Sequence, residues 1–239
     1  MATPKIKAVF FDFMGTCLDW HSGATKILPQ SIPESERSNL ALEWRQDYFD
    51  SNAARLATTP DEPPEDIDIT LAKTLDTLLE KHPEHKHLFN ERIKKECVEA
   101  WHSMPAWPDV GPAIQKLKDA GYEVFVFANG TTRLQLDLCK SSGLRFNMLF
   151  SSELLGVYKP APKAYMRTLE LVNVKPEEAV QVAAHAYDTR GARVAGMRSV
   201  YIHRWTDDIR EDMGVVKEEN NFFLEDMTSL VEVIGRLCD

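Results

Sequence analysis

Apolar and polar positions follow two different rhythms along the chain. From residue 108 onward, short apolar runs alternate with amphipathic stretches. "PDVGPAIQKLKDAG" carries apolar residues at helical spacing and closes on Gly121. The apolar run "YEVFVFA" (122–128) then reads as a strand. The alternation continues with a helix near 131–141, a strand over "NMLFSS" and a helix from Pro162 to Val172. A strand over "AVQVAA" (179–184), a helix over "DTRGARVAG" ending at Gly196, and a strand over "SVYIHR" come next, and "FFL" and a helix near 227–237 finish the chain. The N-terminal run "AVFFDFMGTCLDW" (8–20) starts as a buried strand and breaks at Gly15-Thr16. Strands this apolar, joined through single helices, predict a doubly wound α/β domain with a parallel sheet covered on both faces.

Residues 20–104 have another rhythm. "ESERSNLALEWRQDYFDSNAARLA", "TLAKTLDTLLEKH" and "HLFNERIKKECVEAWHSM" are helical patterns, the first two joined by the Pro- and acid-rich link "TTPDEPPEDIDI". They predict an all-helical insertion, so that 1–19 and 105–239 form the α/β domain and 20–104 a second domain. "KHPEHKHLF" holds three histidines, but its charged neighbours and proline read as a solvated helix junction rather than a metal site.

Composition narrows the function classes. A net charge of −9 argues against a general nucleic-acid or membrane-surface binder, which needs a positive field. A small anionic substrate remains compatible, because a cleft can be locally basic. Cys17, Cys97, Cys139 and Cys238 show no metal-ligand spacing and read as reduced thiols. With neither a membrane-length apolar run nor a signal-peptide core, the expected location is cytoplasmic.

In an open parallel sheet, ligands bind at the carboxyl ends of the strands where the winding reverses. Four successive strand ends are expected to present polar groups there: Asp12, Asn129-Gly130, Lys159 in "GVYKP", and His185 with Asp188 in "VAAHAYD". Each alone has a structural reading as a helix cap, a turn or a surface lysine. Together and in this order they read as a site.

"FFDFMGT", "FVFANGT", "VYKPAPKAY" and "VAAHAYDTRGARVAGM" resemble the four motifs of the haloacid dehalogenase superfamily, nearest its 2-haloacid dehalogenase branch. "EWRQDYF" in the insertion resembles the helix of that branch's cap that carries a substrate-facing arginine. The resemblance implies a Rossmann-like core with a helical cap, hinged near 18–21 and 104–108. It makes Asp12 the nucleophile, with Thr16 and Lys159 orienting it and balancing its charge, and Asp188 the second acidic group. Arg45 and Asn129 face substrate or leaving group, and Tyr165 borders the pocket.

Departures from the motifs then bear on the chemistry. Phosphatases of the superfamily carry a second aspartate two positions after the nucleophile, as acid for a leaving alkoxide. Here that position, which the resemblance puts next to the substrate, is Met14. Halide is a very weak base and leaves without a proton. The acidic residue that phosphatases place four before the last aspartate, for Mg²⁺, is Ala184, and Asp12 with Asp188 alone makes a poor magnesium cage. Ala128 replaces a hydroxyl residue, and Ala183 and His185 replace the Ser and Asn of dehalogenases.

The expectation is therefore a cofactor- and metal-free hydrolase acting on small 2-haloacids through an Asp12 ester, with His185 or Asp188 activating water. The enzyme alternative is a Mg²⁺-dependent phosphatase. A non-catalytic ligand-binding relative is the other. Monomer and homodimer both stay open.

Overall fold

The computed structural model describes residues 5–59 and 65–237, so part of the acid-rich link and Cys238 lie outside the described residues. The chain divides into two compact units, Met1–Asp19 with Ala106–Asp239, and Trp20–Pro105.

The first unit begins with β1 (Ala8–Phe11). The second holds α1 (Trp20–Ile27), α2 (Glu34–Thr58), α3 (Ile67–Lys81) and α4 (Glu91–Glu99). Back in the first unit come α5 (Val110–Asp119), β2 (Glu123–Ala128), α6 (Thr132–Ser142), β3 (Met148–Ser151), α7 (Ser152–Leu155) and α8 (Pro162–Leu171). β4 (Ala179–Ala183), α9 (Ala186–Val194), β5 (Arg198–Ile202), α10 (Met213–Glu219), β6 (Phe222–Leu224) and α11 (Leu230–Arg236) complete it.

The six strands form one parallel sheet in the order β3-β2-β1-β4-β5-β6. β1 lies between β2 and β4, which places the reversal of winding at its carboxyl end. Apolar residues on both faces explain why the strands lack a polar alternation. Phe10, Phe125, Phe127 and Phe150 pack in one core cluster, with Phe10 stacked on Phe125 at 5.1 Å between ring centroids. Phe11 and Phe13 instead meet the ring of Phe146.

Two short helices, α7 and α10, are too brief for a periodic signal and were not expected. The helix containing Asp188 starts at Ala186, earlier than the sequence pattern suggests. Its first N–H donates to the Asp208 carboxylate at 2.5 Å, a cap supplied from a distant loop. Lys159 leaves not from a strand end but from the loop between α7 and α8. Where the chain departs from and rejoins this unit, Leu18 and Ala106 form an antiparallel bridge and Trp107 N–H donates to Cys17 O at 3.0 Å.

In the helical unit, Trp20, Trp44 and Trp101 are fully buried against one another, and the Trp44 indole donates to Leu71 O and Thr74 Oγ1. The pattern expected as one helix over 87–104 breaks because Asn90 accepts from the N–H of Ile93 and starts α4 afresh. The three-histidine stretch is less solvated than expected: His85 is mostly buried against Glu36 at 3.0 Å, and His82 meets Glu43 at 2.8 Å. Among the described residues, Glu36, Glu84 and His85 are the one trio of ligating types with atoms within 4.8 Å of one another. No helix among the described residues is long and apolar enough to cross a membrane.

Candidate active site

Asp12 continues the ladder one residue beyond β1, its N–H donating to Val182 O at 3.0 Å. The chain then turns back through Gly15, whose φ of +86° suits a residue without Cβ. The turn delivers the Thr16 hydroxyl, which accepts from Ala184 N–H at 2.8 Å and donates to Asp12 Oδ2 at 2.7 Å. The accepted bond fixes the direction of the donated one.

Lys159, fully buried, spends three N–H bonds: on Asp12 Oδ1 at 2.9 Å, Asp188 Oδ2 at 2.6 Å and Phe127 O at 2.7 Å. A buried ammonium is tolerated because two carboxylates and a carbonyl replace its hydration. Asn129 holds the lysine's backbone, donating to Lys159 O at 3.0 Å and accepting from Lys159 N–H at 2.9 Å. Its side chain is thus first a brace for Lys159 rather than a group aimed wholly at substrate.

Asp188 accepts from Lys159, from Gln181 Nε2 at 2.9 Å and from the Tyr165 hydroxyl at 2.7 Å. Tyr165 is wholly buried in the core, where it lines a narrow cavity with Phe10, Phe127, Thr168, Leu169 and Met197. Gly191 makes its approach possible, because a Cβ there would lie 2.6 Å from the phenol oxygen. All three groups donate to Asp188 and favour its carboxylate form, while burial pushes its pKa upward. Such an acceptor, with no exposed surface, orients Lys159 and has little capacity to activate water.

His185, 2% exposed, sits between two carboxylates: Nδ1 lies 3.0 Å from Asp12 Oδ2, and Nε2 lies 3.1 Å from Asp207 Oδ1. A neutral imidazole would point one lone pair at a carboxylate, so the arrangement selects imidazolium. Burial opposes that charge, but hydrogen bonds and attraction from Asp12 and Asp207 outweigh it and push the histidine pKa up to about 10. The expected general base is therefore already protonated at rest. Burial by itself would raise the Asp12 carboxyl, but Lys159 and His185 prevail and hold it well below the usual carboxylate range.

Asp207 joins the site from outside the four motifs. It follows β5 in "HRWTDD", a fifth strand end facing the same crevice, and the acidic pair after an apolar strand was the available signal. It packs so closely on the Gly15 turn that a Cβ at Gly15 would lie 2.5 Å from its Oδ1. Nearby, Arg204 grips Asp109 with two hydrogen bonds and donates from Nε to Thr16 O at 3.3 Å, bracing the loop. Met14 is half-buried, and Ala128 and Ala184 are buried without a polar side chain.

In the helical unit, Arg45 is 5% exposed and its guanidinium lies 4.5–5.6 Å from the ring centroids of Trp20, Tyr48, Phe49 and Trp101. Its Nε has no hydrogen-bond partner, and no carboxylate pairs with it among the described residues. Aromatic faces recover part of the lost hydration, about 0.5–2 kcal/mol each, which is less than burying an unpaired cation costs.

The donor set does not fit the magnesium ion that phosphatases of this superfamily employ. Asp12 and Asp188 are bridged by an ammonium, an imidazolium occupies the other face of Asp12, and position 184 offers no oxygen side chain.

A strand-end aspartate, a buried lysine bridging it to a second aspartate, and a threonine turn stand together at the carboxyl end of a doubly wound sheet, an arrangement that suits a hydrolase. The haloacid dehalogenase-like hydrolase family matches residues 6–196, and the chain belongs to that family. It is 27% identical over 223 residues to (S)-2-haloacid dehalogenase 4A of Burkholderia cepacia, covering 92% of this chain and 93% of that protein. A defluorinating L-2-haloacid dehalogenase has a similar structure, with a TM-score of 0.81, 26% identity and 98% of each chain covered. Glyceraldehyde 3-phosphate phosphatase of Methanopyrus kandleri is 32% identical over 139 residues, 52% of this chain and 60% of that protein.

Proposed function

We propose that the protein cleaves the carbon–halogen bond of small 2-halocarboxylates through a covalent ester on Asp12. The observation that carries this reading is an aspartate held ionised by Lys159, Thr16 and His185 beside a residue, Met14, that has no proton to give. A carboxylate oxygen attacks the carbon, the C–O bond forms as the C–halogen bond breaks, and halide leaves with the bonding pair. No acid is required for so weak a base. Water then adds its hydroxyl to the Asp12 carbonyl carbon as the acyl C–O bond breaks, and its other proton goes to the departing oxygen. The hydroxy acid leaves with the original Asp12 oxygen, and the regenerated Asp12 carboxyl loses its proton to solvent.

Arg45 is assigned the substrate carboxylate, for which a buried guanidinium without a counter-ion supplies charge and a planar fork. The remaining N–H of Asn129 is assigned to the halide. No cofactor takes part. The (S)-2-haloacid and L-2-haloacid dehalogenases similar over nearly the whole chain support the choice over the phosphatase, which is similar over about half of it.

The test is a single turnover of 2-chloropropionate by excess enzyme in ¹⁸O-water, with and without chelator. The hydroxy acid should emerge with little label, the peptide containing Asp12 should gain it, and chelator should change nothing. Asp12→Asn should release no halide while keeping a native circular-dichroism spectrum. Metal-dependent release of phosphate from a monoester, with halide release at background, would overturn the proposal.

A further inference from the structure

Resting on the ester mechanism above, we infer that His185, kept charged by Asp207, is the oxyanion stabiliser of the hydrolysis step. The lone pairs of Asp12 assign the roles. Oδ2 accepts from Thr16 at 2.7 Å and His185 at 3.0 Å, so both its in-plane lone pairs are engaged. Oδ1 accepts only from Lys159 among the described residues and keeps a lone pair to attack with. Attack through Oδ1 makes Oδ2 the carbonyl oxygen of the ester. When water adds to that carbonyl and gives up a proton to the neighbouring solvent, negative charge gathers on Oδ2, where two donors already stand at oxyanion-hole distance. Collapse breaks the bond from the acyl carbon to Oδ1, which leaves in the hydroxy acid with a proton from solvent.

The charge balance then changes between the two half-reactions. At rest, Lys159 and His185 face three carboxylates: Asp12, Asp188 and Asp207. Alkylation removes the charge of Asp12, leaving two cations and two carboxylates. His185 thereby loses the nearer of its two anionic partners, and Asp207 becomes the contact that keeps its proton. Asp208, whose carboxylate caps α9, and Lys159 across Asp12 also face this pair, and the Tyr187 ring lies 5.6 Å from the His185 ring. Asp207 is 3% exposed and fixed by the Thr206 hydroxyl at 2.7 Å and by the Gly15 turn, so the anion is already in place. His185 touches the reacting group and is a catalytic residue. Asp207 acts through it and is a positioning residue.

Asp207→Asn separates the steps. With 2-chloropropionate it should give a full burst of halide, one per active site, followed by turnover slowed roughly 10²-fold. Mass spectrometry of the quenched enzyme should find the propionate ester on the Asp12 peptide. The slow step should weaken further, about tenfold per pH unit, as pH passes the lowered histidine pKa, while wild type stays flat over the same range. His185→Gln, which keeps a neutral donor, should also accumulate ester but without that pH dependence. This second variant reads the same question if Asp207→Asn fails to fold. Loss of the burst in proportion to turnover, or slow turnover with no trapped ester in either variant, would overturn the assignment. Wild type that releases no halide and forms no ester would instead sink the dehalogenase reading itself.

Discussion

Replacing Lys159 by methionine removes one charge from the most buried ion network in the protein. Its Nζ lies 2.9 Å from Asp12 and 2.6 Å from Asp188, and neither Lys159 nor Asp188 has exposed side-chain surface. Asp12 would retain Thr16 and His185, but Asp188 would keep only the neutral donors Gln181 and Tyr165. Removing one partner of a buried pair costs about 3–5 kcal/mol, a large share of the roughly 5–15 kcal/mol that holds a domain together. In the wild type Asp12 is held below the usual carboxylate range, so its stabilising contribution is present at neutral pH and is lost as pH falls toward that lowered value. Asp188 carries the opposite sign: burial already raises its pKa in the wild type, and losing Lys159 raises it further. Burial without a cation raises its pKa above the unfolded value, so acid protonates the folded state first and relieves the penalty. Urea unfolding followed by circular dichroism, at about pH 7.5 and about pH 5, should show the deficit shrinking in acid. Adding Asp188→Asn should recover part of it at the higher pH. A deficit below about 1 kcal/mol, the value of a surface pair, would refute the reasoning, as would one independent of pH.

Arg45→Met should leave the melting temperature unchanged or raised, because it removes a buried charge without a partner. It should also raise KM for 2-chloropropionate by about 10–100-fold, the worth of a charge-assisted hydrogen bond, and Arg45→Lys should recover only part. A KM unchanged in steady-state kinetics would remove Arg45 from the substrate. Gly15→Ala should destabilise by about 1–3 kcal/mol, from its positive φ, and slow ester hydrolysis through the displaced Asp207. Thermal melting and trapped-ester mass spectrometry check the two effects separately.

The local pattern alone determined the doubly wound sheet, since apolar runs of strand length between single helices admit few other packings. The same rhythm places the expected insertion, stopping after Asp19 and resuming near residue 108. Asp12, Thr16, Lys159 and Asp188 could be picked out as well, each lying in a short motif beside an apolar run. What tertiary structure decided was the state and partnership of those groups. Tyr165 reads from its motif as a pocket residue, and the fold sets it behind Asp188, in space that exists only because Gly191 lacks a side chain. His185 reads as a base beside a lone aspartate. Only folding brings Asp207, 22 residues further on, to its other nitrogen and makes it a cation. A histidine's charge depends on which groups stand at both its nitrogens, and that is a property of distance in space.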